Sequence, residues 1–139
     1  MKEYRQHKFE VPEGATEIIL VRHGESRAAT ADNPFPLVEG QRWDVFPGAE
    51  SREALQERIG RGLHRIAQAH PNELVVAVLH GGVIGQINAE ATGSTPFAFN
   101  GCDNGSISRV VMVDGKIVVR GFNGVSHLGN AETLASLPT

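Results

Sequence analysis

Two short apolar runs, each ending in a histidine followed by glycine, constrain the fold of this chain more than any other feature. Residues 17–21 (EIILV) lead into Arg22-His23-Gly24, and residues 74–79 (LVVAVL) lead into His80-Gly81-Gly82. Short runs of this kind that stop at glycine are typical of buried β-strands. The sequence therefore predicts two strands, each of which carries a histidine into the loop that follows it.

Two helices are predicted around the second run. Ser51 is a candidate N-cap, and the helix after it ends at His70-Pro71-Asn72. Its apolar side chains recur at helical spacing on one face: Leu55, Ile59, Leu63, Ile66 and Ala67. A second helix is predicted from about Val83 to Ala91, with Gly93 as its C-terminal cap.

A β-hairpin is predicted near the C-terminus. Residues 107–113 and 116–120 flank Asp114-Gly115, a pair that supplies the positive φ angles of a two-residue turn. The order strand, loop, helix, strand, helix, hairpin predicts an α/β domain whose first two strands are parallel neighbours. Both histidines then lie at the carboxyl edge of the sheet, where ligands bind in open α/β sheets.

Size and composition predict one domain, residues 1–139, with an N-terminal arm (1–15) and an irregular loop (30–50). The net charge of −3 argues against nucleic acid as a partner. No stretch is apolar enough for a membrane span or a signal peptide, and Cys102 alone forms no internal disulfide framework. These observations predict a cytoplasmic protein without a membrane partner.

The two histidine motifs have the residue types that phosphoryl transfer needs. A histidine such as His23 offers a neutral ring nitrogen as phosphate acceptor near pH 7. The planar guanidinium of Arg22 suits phosphate oxygens, Gly24 permits close approach of the backbone, and Ser26 offers a hydroxyl or an N–H. His80 and Gly81 open a helix whose N-terminus favours an anion.

These motifs resemble those of the phosphoglycerate mutase-like histidine phosphatase superfamily. The resemblance rests on LVRHGES at 20–26 and LHGG at 79–82, and extends from Phe46 through the helix to the segment Asn123…His127. It implies a reduced form of that fold, a three-layer α/β/α sandwich with a mainly parallel sheet. It also implies a phosphohistidine at His23, phosphate contacts from Arg22 and His80, and no cofactor.

The chain departs from the family between the two motifs. The histidines are 57 positions apart (80 minus 23), which is short for the family. A second phosphate-binding arginine and a proton-donor glutamate have no matching motif. The nearby candidates for these two roles are Arg27, Arg42, Glu39, Asp44 and Glu50, and Glu25 is a further candidate for the donor beside Glu39.

The remaining histidines are not expected to take part in the phosphoryl chemistry. His64 and His70 are expected at the helix surface or its end, His7 in the arm without a role, and His127 at most at the rim of the pocket. No metal site is expected, because no two histidines have close ligand spacing and Cys102 stands alone.

The leading interpretation is a cofactor-free phosphomonoesterase that acts on a small phosphorylated metabolite through His23. One alternative is a weakened or inactive member that binds phosphate compounds or a protein partner. Others are phosphoglycerate mutase activity and an internally deleted form of a longer enzyme. The short segment between the motifs would leave apolar sheet surface uncovered, and a homodimer is one way to cover it.

Overall fold

The structure is a computed structural model that describes residues 7–24, 48 and 50–129. The predicted elements are confirmed, with α2 starting two residues earlier than expected and β4 ending four residues later. In chain order they are β1 (Thr16–Arg22), α1 (Arg52–Ala69), β2 (Leu74–Leu79), α2 (Gly81–Thr92), β3 (Ile107–Val113) and β4 (Lys116–Gly124).

The four strands form one mixed sheet in the order β2-β1-β3-β4. The predicted parallel pairing of β1 and β2 is confirmed, but β1–β3 and β3–β4 are antiparallel. The expectation of a mainly parallel sheet is therefore wrong. The reason is the connection 93–106, which returns the chain to the carboxyl edge of β1, so that Ile107 pairs with Val21 and β3 runs back along β1.

Both helices pack on the same face of the sheet, which we call the helix-covered face. Ile18 and Leu20 of β1 are fully buried there, next to Val110 of β3. The same core cluster contains buried residues of both helices: Ile59 and Leu63 of α1, and Ile84 and Ile87 of α2. The described part of the chain thus has two layers, and the expected three-layer sandwich is not present in it.

The opposite face of the sheet, which we call the open face, is apolar at its β2 edge. Strand residues alternate between faces, so Leu74, Val76 and Val78 point away from the helices. Their exposures are 53%, 57% and 65%. None of the described elements covers them, and β2 is an edge strand.

The amino ends of β1 and β2 are tied together by short hydrogen bonds. The Gly14 N–H donates to Asn72 Oδ1 at 2.6 Å, and the Asn72 N–H donates to the Ala15 carbonyl at 2.9 Å. The Thr16 hydroxyl, which is fully buried, donates to the His70 carbonyl at 2.8 Å. This set of bonds, which we call the amino-edge clamp, lies at the sheet edge opposite the two histidine motifs.

The structure confirms the helix caps and the hairpin turn that the sequence predicts. The Ala54 N–H donates to Ser51 Oγ at 3.1 Å, which confirms Ser51 as the N-cap of α1. Gly93 ends α2 with φ of 65°. Asp114 and Gly115 have φ of 50° and 72°, as the two-residue turn requires. In the described ranges, no helix is long and apolar enough to cross a membrane.

The arm before β1 reaches the far edge of the sheet. The guanidinium of Arg120, in β4, lies 3.8 Å from the centre of the Phe9 ring. Such a stacked cation and ring attract each other electrostatically. Both groups are near the surface, since Phe9 is 44% exposed.

Two glycines in helices give a matched test of how closely α2 packs against the chain at Phe99. A Cβ on Gly85 would lie 2.6 Å from the Phe99 carbonyl oxygen, whereas a Cβ on the exposed Gly62 would meet nothing within 4 Å. We expect Gly85→Ala to lower the free energy of unfolding by about 1–3 kcal/mol, because α2 and the chain at Phe99 must separate. Gly62→Ala should raise it by about 0.5–1 kcal/mol. Urea unfolding followed by circular dichroism measures both, and equal effects would contradict the close approach at Gly85.

Candidate active site

The pairing register of β1 and β2 brings the two histidine motifs together. Arg22 is paired with Leu79, so the next residues in each strand, His23 and His80, leave the sheet side by side. The His23 N–H continues the ladder by donating to the Leu79 carbonyl at 3.1 Å. The two imidazole rings lie 4.8 Å apart between centres, at an angle of 73°.

The ring orientation of His23 follows from one hydrogen bond. Nδ1 lies 2.7 Å from the Gly24 carbonyl oxygen. A carbonyl oxygen only accepts, so in the neutral ring the proton sits on Nδ1 and Nε2 keeps its lone pair. Nε2 is buried and has no hydrogen-bond partner among the described residues. Nε2 is therefore the ring nitrogen that can act as a nucleophile, because Nδ1 is bonded to the backbone.

Arg22 lies on the helix-covered face, where it is 1% exposed. Its positive charge is near Cys102, which is also 1% exposed. Burial raises the pKa of the Cys102 thiol, while the Ser106 hydroxyl and the Arg22 charge act in the opposite direction. Cys102 is therefore a neutral thiol near the arginine, and Arg22 is a buried positive charge in the residue directly before His23.

A turn at residues 103–106, which we call the support turn, holds the backbone of the first motif. The Arg22 N–H donates to the Ser106 carbonyl at 3.0 Å, and the Gly105 N–H donates to the carbonyls of Arg22 and His23 at 3.0 and 3.3 Å. Sequence reasoning did not identify this turn. The available signal was Asn104-Gly105 directly before a predicted strand, a dipeptide that favours tight turns.

Asn123 fixes the support turn to β4. Its Oδ1 accepts from the Asp103 N–H at 2.8 Å, and its Nδ2 donates to Asp103 Oδ2 at 3.1 Å. The Asn123 N–H donates to Ser108 Oγ at 3.1 Å, and its φ of 55° is one that asparagine tolerates. His127 Nε2 lies 2.9 Å from the Gly105 carbonyl, so His127 contacts the support turn from the exposed side.

The start of α2 lies beside the histidine pair. His80 is exposed and occupies the N-cap position without a side-chain capping bond, and Gly81 is the buried first residue of the helix. The unpaired N–H groups of a helix N-terminus attract anions. Gly24 is exposed, and a Cβ there would meet nothing within 4 Å among the described residues.

Several residues named from the sequence lie outside the described residues: Glu25, Ser26, Arg27, Glu39, Arg42 and Asp44. Glu50 is described, and its carboxylate accepts from Arg58 at 2.9 and 3.1 Å. This bond lowers the pKa of Glu50, although slight desolvation opposes it. A carboxylate so engaged is a poor proton donor near neutral pH, which argues against Glu50 as the general acid.

Two further histidines belong to α1 and to its C-terminal cap. His64 is an exposed residue of α1, and His70 Nδ1 contacts the Glu73 carboxylate at 2.7 Å. Within the described ranges, no three His, Cys, Asp or Glu side chains are placed to hold one metal ion.

Comparison with known proteins identifies the family. The model of the histidine phosphatase superfamily (branch 1) matches residues 27–124, which is well over half of the chain. The protein therefore belongs to the histidine phosphatase superfamily. The matched range begins after Arg22-His23-Gly24, so that motif is a separate observation from the sequence itself.

Individual relatives are longer than this chain. The "Uncharacterized phosphatase PhoE" of Bacillus subtilis (strain 168) is 30% identical over 86 residues, which cover 61% of this chain and 45% of the relative. The solved structure of a "putative alpha-ribazole-5'-P phosphatase" from Escherichia coli K-12 is 22% identical, with a TM-score of 0.47, over 61% of this chain and 43% of that one. The match thus spans less than half the length of either relative.

Exchanging the partners of the Asp103–Asn123 contact tests the support turn. Asn123→Asp places a second carboxylate against Asp103 Oδ2 in place of a donor. We expect it to lower the free energy of unfolding by about 1–2 kcal/mol near neutral pH.

The exchanged double variant is the control for this prediction. Asp103→Asn combined with Asn123→Asp restores one donor and one acceptor across the contact, so most of the lost stability should return. Urea unfolding near neutral pH measures the free energy of unfolding of wild type, of Asn123→Asp and of the double variant. A double variant as unstable as Asn123→Asp alone would show that the contact does not hold the support turn.

Proposed function

We propose that this protein is a phosphomonoester hydrolase that transfers the phosphoryl group of a small phosphorylated metabolite to His23. The observation that carries the proposal is the free, buried Nε2 of His23 beside the His80 ring, with centres 4.8 Å apart. Membership of the histidine phosphatase superfamily and the phosphatase name of the relative support the same activity class.

The chemistry proceeds in two displacements at phosphorus. His23 Nε2 attacks, an N–P bond forms, and the bond from phosphorus to the substrate oxygen breaks. Water then attacks the phosphohistidine, the N–P bond breaks, and inorganic phosphate leaves with Nε2 restored. The hydrogen bond between Nδ1 of His23 and the Gly24 carbonyl keeps the imidazole ring in the orientation for attack through both steps.

Positive and partly positive groups would stabilise the phosphoryl oxygens during both displacements. Arg22 brings a fixed charge, and His80 with the N–H of Gly81 lies where α2 begins. Ser26 is assigned a further contact on the sequence motif alone. Fixed donors of this kind act without reorganisation when charge develops, and each is worth about 10²–10³-fold in rate.

The leaving oxygen of an alkyl phosphate needs a proton, and a positioned acid typically contributes about 10²–10⁴-fold. Glu25 and Glu39 remain the proposed donors from the sequence. An aryl phosphate leaves without that help, so it tests the nucleophile independently of the donor. The proposal needs no cofactor, and the cytoplasmic location stays a prediction from the sequence.

The decisive variant is His23→Ala. We expect wild-type protein to hydrolyse an aryl phosphate and the variant to lose roughly 10³-fold or more of that rate, because the proposed phosphoryl acceptor is removed. His80→Ala should lose about 10²–10³-fold through poorer stabilisation of charge. Rapid quenching with mass spectrometry should find one phosphoryl group on wild-type protein and none on His23→Ala.

His64→Ala is the matched control, since it removes an exposed imidazole of α1 and should leave the rate unchanged. Folding of each variant is checked by circular dichroism. Equal rates for wild type and His23→Ala would exclude the phosphohistidine route.

A binding function without turnover is the second candidate. It is favoured by the engagement of Glu50 with Arg58 and by the match to less than half of each relative's length. Folded wild-type protein without hydrolase activity, in which inorganic phosphate still shifts the ring signals of His23 and His80 in NMR spectra, would support it. Mutase activity is a weaker candidate, because retaining and reorienting a substrate requires further structural elements.

A further inference from the structure

The chain that follows β4 turns back onto the support turn. The Leu128 N–H donates to the Val125 carbonyl at 2.9 Å and closes a turn at residues 125–128, which we call the C-terminal turn. His127 in this turn has Nε2 2.9 Å from the Gly105 carbonyl oxygen. A carbonyl oxygen only accepts, so Nε2 of His127 carries a proton and donates it to this bond. The C-terminal turn is therefore bonded to the support turn at Gly105.

Leu128 adds a packing contact at the same glycine. Gly105 has φ of 71°, a conformation that glycine adopts without strain. A Cβ placed on Gly105 would lie 3.4 and 3.5 Å from the two methyl carbons of Leu128, so the leucine covers this side of the glycine. Gly105 is thus bonded through its carbonyl to His127 and covered by the next residue of the chain.

Gly105 in turn holds the backbone of His23. Its N–H donates to the carbonyls of Arg22 and His23 at 3.0 and 3.3 Å. The His23 carbonyl belongs to the peptide group that joins His23 to Gly24, and the Gly24 carbonyl bonds Nδ1 of the His23 ring at 2.7 Å. A displacement of Gly105 would therefore tilt this peptide group and move the oxygen that orients the ring.

The backbone of His23 is held from two sides. On the β2 side, its N–H donates to the Leu79 carbonyl at 3.1 Å, and on the other side its carbonyl accepts from Gly105. Asn123 fixes the support turn at Asp103, two residues earlier. The bond from His127 is made at Gly105 itself, the residue that contacts the backbone of the proposed nucleophile.

We propose that His127 is a positioning residue for His23: its Nε2–H fixes Gly105, and Gly105 fixes the peptide group that orients the His23 ring. The sequence placed His127 at most at the rim of the pocket, whereas its observed contact is with the support turn. The effect on rate rests on the proposed phosphatase function. The effect on the His23 ring is measurable without turnover.

Three variants test the effect on rate. His127→Phe keeps a planar ring and removes the donor, and we expect kcat for an aryl phosphate to fall roughly 10-fold with KM within about twofold, because the nucleophile is less well oriented. His127→Gln should stay within about twofold of wild type, because its amide N–H can donate to the same carbonyl. His70→Phe, which removes the hydrogen bond of a half-exposed imidazole at the amino edge of the sheet, should leave kcat unchanged.

The tautomer of His23 gives a measurement that needs no activity. In wild type, ¹⁵N NMR of the histidine side chains should find His23 protonated on Nδ1, as the bond to Gly24 requires, and the spectrum of His23→Ala identifies its signals. In His127→Phe the share of ring protonated on Nε2 should rise, because the Gly24 carbonyl is held less firmly. A residue that contributed to stability alone would lower the urea midpoint and leave the tautomer of the folded protein unchanged.

Each outcome bears on the proposal. A lower kcat and an altered His23 tautomer in His127→Phe, both restored in His127→Gln, establish His127 as a positioning residue. An unchanged tautomer in folded His127→Phe, an unchanged rate in an active protein, or a loss that His127→Gln does not restore overturns it. A wild type without hydrolase activity refutes the proposed function alone, and the tautomer then decides whether His127 orients the ring.

Discussion

The parallel pairing of β1 with β2 is the interaction on which the candidate site depends. With Arg22 set against Leu79, the residues that follow in the two strands are His23 and His80, so a backbone register places the imidazoles next to each other. A slip by one residue would turn every side chain of a strand to the opposite face and separate the rings. The buried alternation of β1, with Ile18 and Leu20 toward the helices, resists that slip.

The sequence predicted the elements and the histidine pair well, because both depend on local patterns. Apolar runs, caps and the Asp114-Gly115 turn are decided within a few residues, and parallel neighbours share a carboxyl edge. The expectation of a mainly parallel sheet was wrong, because β1–β3 and β3–β4 run in opposite directions. Those directions depend on where the connection 93–106 returns, and no local signal there distinguishes a parallel from an antiparallel β3. The Asp103–Asn123 contact was missed for a similar reason, since two polar residues 20 positions apart give no periodic pattern.

Among the described residues, the site and the apolar surface of β2 share one origin, since both helices lie on the same face of the sheet. Both helices lie on one face, so Arg22 and Cys102 are enclosed while the β2 end of the open face keeps its apolar side chains in contact with solvent. The same strand therefore carries His80 at its end and the exposed row Leu74, Val76 and Val78 along its length. Any group that covers that row would also lie next to the histidine pair.

The amino-edge clamp aligns β1 and β2 at the edge of the sheet opposite the candidate site. Asn72, Gly14 and Thr16 align β1 and β2 at one edge, while the histidines lie at the other. The segment between the strands can then gain or lose residues at the carboxyl edge without moving one strand against the other. In evolutionary terms, the geometry of the imidazole pair is insulated from insertions and deletions in the loop that would shape substrate choice.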